Sequence, residues 1–175
     1  FSYINLKFDE TIYKRNWDYY EARCEASSSL SYPVHSICAS DMGQPERAYK
    51  YFLKSTRIDM DDEHNCAWQG IHSACAAGAW LAVVRGVAGI VFREDAIEIN
   101  PNMIPWWKAV VFKIIWHGQV IKVTLSNGEM QLLSMETNTN PVPVNFRGKE
   151  FVLEPGKQLN FNIAINKDPR NVFDI

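Results

Sequence analysis

A surplus of charge of either sign is missing from this 175-residue chain, in which 18 Lys and Arg stand against 20 Asp and Glu for a formal net charge of −2. That balance removes the basic footprint of a nucleic-acid binder. No polybasic stretch is present to hold an anionic membrane surface. Long apolar runs are missing as well. The longest, Ala74 to Val84, falls well short of the roughly 20 residues that cross a bilayer. Cysteine is sparse, at positions 24, 38, 66 and 75, and no Cys-x-x-Cys pair occurs. Those spacings fit neither a zinc site nor a disulfide framework, so free thiols in a reducing cytosol are expected. No signal-peptide pattern, internal repeat or low-complexity tract is visible. The opening residues, Phe1 to Leu6, read as the middle of a longer polypeptide, so a fragment is expected.

What is present is ordinary globular composition. Hydrophobic residues make up 47% and charged residues 22%, enough to bury a sizeable core. The aromatic share is on the rich side, with six Trp. Aromatic faces suit sugar sites, but they suit packed cores equally, and the core is the default.

The pattern changes near residue 93. Before it, helical signals dominate. Asp9 and Glu10 precede Thr11, Ile12 and Tyr13, and Trp17 and Tyr20 continue the helical spacing. Ser29 precedes a helix through Leu30, Val34, Ile37 and Cys38 that Gly43 should end as a C′ residue. Pro45 sits where a first-turn proline belongs, and an amphipathic helix follows to about Arg57. A polar loop is expected from Asp59 to Gln69. The stretch from Gly70 to Arg85, rich in Ala and Gly, predicts a helix buried on every side. After Arg93 the sequence predicts short strands, at 109–116, 120–125, 130–133, 142–146, 151–153 and 159–165. Turn signals stand at His117-Gly118, Asn127-Gly128, Arg147-Gly148 and Pro155-Gly156. This half should be an antiparallel sandwich.

Two short segments carry candidate chemistry. Ser27 to Ser31 places hydroxyls where a loop becomes a helix. A helix N-terminus leaves backbone N–H groups unpaired and favours anions, but plain capping explains the same serines and is favoured on chemistry alone. A Ser nucleophile lacks its GxSxG elbow. In Gln69 to Ser73, His72 enters the first turn of the most buried helix. It serves either an anion site or a core hydrogen bond, and the residues alone do not choose. The acidic run Asp59, Asp61, Asp62 and Glu63 reads as a solvated loop, not as paired catalytic carboxylates. His64 and Cys66 lack a second pair to complete a metal set. Trp106-Trp107 follows Pro101 and Pro105 where the helical and β parts should meet, and packing is favoured over a sugar platform there.

Taken in order, these pieces are similar to a known pattern. They are Tyr20-Glu21, Ser28-Ser29-Leu30-Ser31, Ala48-Tyr49, Arg57 to Asp62, His64-Asn65, Gly70-Ile71-His72, Gly78-Ala79-Trp80, Gly86 to Gly89, Ile99-Asn100-Pro101 and Trp107. Over residues 16 to 125 the chain resembles glycoside hydrolase family 65, which groups the maltose, trehalose, kojibiose and nigerose phosphorylases. The resemblance implies an α+β fold. Residues 1–93 would form the last helices of an (α/α)6 catalytic barrel, and residues 94–175 an antiparallel C-terminal β-sandwich domain.

The resemblance also implies an activity. Inorganic phosphate, a co-substrate and not a cofactor, displaces the leaving sugar of an α-linked glucose disaccharide, with inversion to β-glucose 1-phosphate. Ser28, Ser29 and His72 would bind that phosphate. The general-acid Glu would lie upstream of Phe1, so this chain would hold no catalytic residue and would work with the remaining N-terminal part of the enzyme. A cytoplasmic homodimer is the family's usual form. One departure counts against a simple transfer. Cys24 and Ala26 stand where the family often has Thr and His. A family-related hydrolase using water, or a non-catalytic module, therefore stays open as an alternative.

Overall fold

The computed structural model describes residues 9–24, 28–62, 65, 67–126 and 128–163. Four α-helices come first, α1 (Glu10–Tyr20), α2 (Ser31–Asp41), α3 (Pro45–Asp61) and α4 (Ser73–Leu81). Eight strands follow among the described residues. The chain divides into two compact units. One runs through the helices to Val91 and takes in Glu98–Asn102. The other holds Phe92–Ile97 and the chain from Met103 onward.

Several helix ends in the first unit have a local cause. The Asp9 carboxylate caps α1, accepting from the backbone N–H groups of Thr11 and Ile12 at 2.9 and 3.3 Å. Trp17 packs against Ala39 and Ala48, and its indole N–H donates to Gln44 Oε1 at 3.3 Å. Helix α2 stops as the sequence predicts. Gly43 takes φ +64°, its N–H reaches Ser40 O, and Gln44 N–H reaches Ala39 O, a Schellman closure. Pro45 opens α3 in its first turn.

Helix α3 runs on to Asp61, a turn beyond the predicted end at about Arg57, so Asp59 belongs to a helix and not to a loop. The Arg57–Asp61 ion pair, one turn apart, supports that last turn before Asp62 adopts a left-handed conformation.

Helix α4 corrects a second expectation. Cys75, Gly78 and Ala79 are buried, but Ala74, Ala76, Ala77, Trp80 and Leu81 are exposed, so the helix is not buried all round. Its contacts to α2 and α3 fall on one side. It continues into a π-helical turn, Ala82–Val87, that brings two residues onto α2. Arg85 pairs with both carboxylate oxygens of Asp41 at 2.9 and 3.1 Å. Gly86 lies so close that a Cβ there would meet Ser40 Oγ at 3.1 Å.

Strands β1 (Ile90–Phe92) and β2 (Ile97–Ile99) were not expected from the sequence. They are three residues each, too short for a period-2 pattern to register. The remaining strands are β3 (Ala109–Trp116), β4 (Gln119–Ser126), β5 (Glu129–Ser134), β6 (Val142–Phe146), β7 (Lys149–Leu153) and β8 (Gln158–Asn162). Two four-stranded sheets result, ordered β1-β2-β6-β7 and β3-β4-β5-β8. Trp116 pairs with Gln119 around His117-Gly118, and Phe146 with Lys149 around Arg147-Gly148. All four turn residues have positive φ, as two-residue hairpins require. Ser126 pairs with Glu129 across the predicted Asn127-Gly128 turn, whose Asn127 lies outside the described residues.

Strand β4 alternates strictly, burying Gln119, Ile121, Val123 and Leu125. Asn138 stands in for a strand partner at Val120, accepting its N–H at 2.8 Å and donating to its carbonyl at 2.7 Å. Strand β8 ends at Asn162, and Ala164 and Ile165 of the predicted strand lie outside the described residues.

Candidate functional site

The segment before α2 is a turn and not a cap. Helix α2 begins at Ser31 with Leu30 as its N-cap residue, and no side chain caps it. Ser28 is exposed. Its Oγ accepts a long bond from Leu30 N–H at 3.4 Å, while its carbonyl accepts Ser31 N–H at 2.9 Å. Neither Ser28 nor Ser29 therefore caps α2, since they sit three and two residues ahead of the helix, and Ser27 lies outside the described residues. Ser29 is half-buried, and its carbonyl is held from the core by the Cys75 thiol at 3.2 Å.

His72 is the N-cap residue of α4, just outside its first turn. Its carbonyl receives the N–H groups of Cys75 and Ala76 at 2.9 and 3.1 Å. Asp59 on α3 holds the residue at two points. One carboxylate oxygen accepts the His72 backbone N–H at 3.0 Å, and the other meets ring Nδ1. His72 and Asp59 keep 20% and 31% of their side-chain surface exposed, so the pair lies at the rim and not in the core. The two hydrogen bonds from His72 hold the Asp59 carboxyl below the usual carboxylate range. It is therefore ionised at neutral pH, and Nδ1 is the ring nitrogen that carries the proton facing it.

One turn into the core, a second contact repeats this link. Ser55 Oγ donates to the Cys75 carbonyl at 3.2 Å and lies 3.4 Å from its sulfur, and the thiol also reaches Ser55 O at 3.4 Å. Ser55 and Asp59 are four apart on α3, and Cys75 and His72 are three apart on α4, so the contacts are successive rungs between two helices. Tyr32, Ile58 and Cys75 pack together beneath them. Cys75 is thus the junction through which the Ser28-Ser29 turn and His72 are set against one frame. Sequence reasoning assigned no role to either Asp59 or Cys75. Ile58, buried next to Asp59, was the available signal that the helical pattern continues past Arg57.

Among the described residues no group of three or more His, Cys, Asp or Glu could hold a metal ion. His64, Cys66 and Ala26 lie outside the described residues. Trp106 and Trp107 are half-buried. No helix among the described residues is long and apolar enough to cross a membrane.

The sequence matches the glycosyl hydrolase family 65 central catalytic domain over residues 2–81 and the family's C-terminal domain over residues 90–153. The chain belongs to glycosyl hydrolase family 65.

Among its relatives is 3-O-alpha-D-glucosyl-L-rhamnose phosphorylase of Lachnoclostridium phytofermentans, 43% identical over 92% of this chain and 21% of that protein. Alpha,alpha-trehalose phosphorylase of Thermoanaerobacter brockii is 33% identical over 86% of this chain and 19% of its own length. A solved chain provisionally named kojibiose phosphorylase, from the human microbiome, superposes with a TM-score of 0.81 at 30% identity, covering 95% of this chain and 23% of that one. The chain spans about a fifth of the length of the curated relatives it matches.

Proposed function

We propose that this chain is the C-terminal portion of an inverting α-glucoside phosphorylase, with Ser28, Ser29 and His72 holding the inorganic phosphate. Residues 1–93 would supply the last helices of an (α/α)6 barrel and residues 94–175 a C-terminal β-sandwich domain. The observation that carries the reading is the convergence of the Ser28-Ser29 turn and the His72 end of α4 on Cys75. It occurs in a chain whose relatives are named phosphorylases of α-glucosyl compounds. The exposed face of α4, with Ala74, Ala77, Trp80 and Leu81, together with Trp68 and Ile71 nearby, supports the view that further barrel helices complete this unit.

In this reading a phosphate oxygen forms a bond to the anomeric carbon as the glycosidic C–O bond breaks on the opposite face. A carboxylic acid from the upstream part gives its proton to the leaving oxygen. An inverting hydrolase leaves room between its carboxylates for water and needs a base to activate it. Phosphate fills that room and is itself nucleophilic, so these residues need only bind and orient it.

The test uses the complete enzyme and an α-glucosyl disaccharide. Glucose 1-phosphate should form only with phosphate present. His72→Ala and Ser29→Ala should each raise the KM for phosphate by about 10- to 100-fold, the worth of a hydrogen bond to a charged group. Stability should change little. Phosphate-independent release of free glucose would instead establish the hydrolytic alternative, which the Ala26 substitution favours.

A further inference from the structure

The geometry points to Cys75 as the positioning residue of the Ser28-Ser29 turn, acting through the Ser29 carbonyl. The inference rests on the phosphate reading of Ser29 given above. Its origin is a proline. The Ser28 carbonyl accepts the Ser31 N–H at 2.9 Å and Leu30 has the right-handed helical conformation, so the turn enters α2 in the helical sense. A carbonyl so placed looks for the N–H four residues on. Four residues after Ser29 stands Pro33, which has none. A half-buried carbonyl that lacks its helix donor needs another.

That donor comes from a different helix. Cys75 on α4 is fully buried, and its Sγ lies 3.2 Å from Ser29 O. The thiol has one proton and two other oxygens within reach, Ser55 O and Ser55 Oγ, each at 3.4 Å. Ser55 O lies within α3, where the N–H of Asp59 serves it. Ser55 Oγ gives its own proton to the Cys75 carbonyl at 3.2 Å and so holds the backbone from which the thiol projects. Ser29 O is the nearest of the three oxygens and the one whose helix donor is missing, so the thiol proton goes there. Fixing that carbonyl fixes the plane of the Ser29–Leu30 peptide. The direction in which the Ser29 side chain leaves the turn is set with it. Cys75 stands three residues after His72, so one helix places both parts of the site. The buried thiol makes no contact with phosphate in this scheme, and Cys75 is a positioning and not a catalytic residue.

The test is steady-state kinetics of the complete enzyme with inorganic phosphate and a disaccharide substrate, with thermal melting of each variant alongside. Cys75→Ala should raise the KM for phosphate about 3- to 10-fold, the worth of one ordinary hydrogen bond, with the disaccharide KM unchanged. Cys75→Ser keeps a donor and should recover most of that loss. Cys75→Val fills the space of the thiol without a donor and repeats the measurement if the Ala variant does not fold. Pro33→Ala returns an N–H to the place the Ser29 carbonyl faces. The Pro33→Ala, Cys75→Ala double variant should therefore bind phosphate nearly as the Pro33→Ala single does. A loss on the Pro33→Ala background as large as on the parent would overturn the inference, as would a Cys75→Ala enzyme that melts lower yet keeps its phosphate KM. If Ser29→Ala itself leaves the phosphate KM unaltered, the phosphate reading fails instead, and the two failures are told apart.

Discussion

Gly89 is where the fold leaves no room for a side chain, and replacing it by Ala offers the sharpest test of the helical unit. Its φ of +64° is a conformation that costs an ordinary residue about 1–2 kcal/mol. A Cβ there would lie 1.7 Å from the Asn100 carbonyl oxygen and 2.2 Å from its carbon. That contact is with backbone, so no side-chain rotation relieves it. Moving the Asn100 peptide aside would break the Asn100 N–H bond to Gly89 O at 2.9 Å. It would also strain the Asn102 N–H bond to Val87 O at 2.8 Å. Each such loss costs about 1–3 kcal/mol where the groups stay buried. Together with the backbone term, Gly89→Ala should destabilise by about 4 kcal/mol or more, a large part of the 5–15 kcal/mol available to a domain.

Two other glycines calibrate the result. Gly43 has the same φ of +64° with nothing within 4 Å of a Cβ, so Gly43→Ala should cost only about 1 kcal/mol. At Gly86 the nearest atom is the Ser40 hydroxyl, which can turn away, and Ala is the better helix former, so Gly86→Ala should be close to neutral. Urea unfolding of the full chain, followed by far-ultraviolet circular dichroism, would rank the three. Equal losses at Gly89 and Gly43 would refute the close approach of residues 89 and 100.

The Arg85–Asp41 pair keeps 23% and 19% of its side-chain surface exposed, so Arg85→Met should cost about 2 kcal/mol, less than for a fully buried pair. The Arg85→Met, Asp41→Leu double variant should regain most of that in urea titrations, and a double as unstable as the single would show that the carboxylate is not the source of the loss. Burial, and then the hydrogen bond its hydroxyl donates to Glu21 Oε1 at 2.7 Å, push the Tyr51 phenol up to about 12. Its folded value is above the unfolded value of about 10, so its contribution to stability is complete below pH 10 and is lost as pH rises towards 12. Absorbance at 295 nm should show a late-ionising tyrosine component that Glu21→Gln moves earlier; a Glu21→Gln titration identical to that of the parent would break the link.

What could be read from the sequence followed how local each cause is. The Gly43 stop, the Pro45 start and the His117-Gly118 and Arg147-Gly148 hairpins are each set by the backbone preferences of one or two residues, and all stand where their residues put them. The burial of α4 was misjudged because a run of Ala and Gly states how closely a helix can be approached, not from how many sides. Only contacts with other segments decide that, and here α2 and α3 lie on one side. The candidate site shows the same division. His72 and the serines were visible as residue types near helix starts, which is local information. Asp59 was not, because its part depends on a register between α3 and α4 that no short window contains. Ser55 meets Cys75, and one turn outward Asp59 must then face His72. An acidic residue counted into a solvated run is, in three dimensions, a carboxylate set against the histidine ring. The pairing follows from α3 lasting one turn longer than its amphipathic pattern predicts, and that turn is held by buried Ile58 and by the exposed Arg57–Asp61 pair.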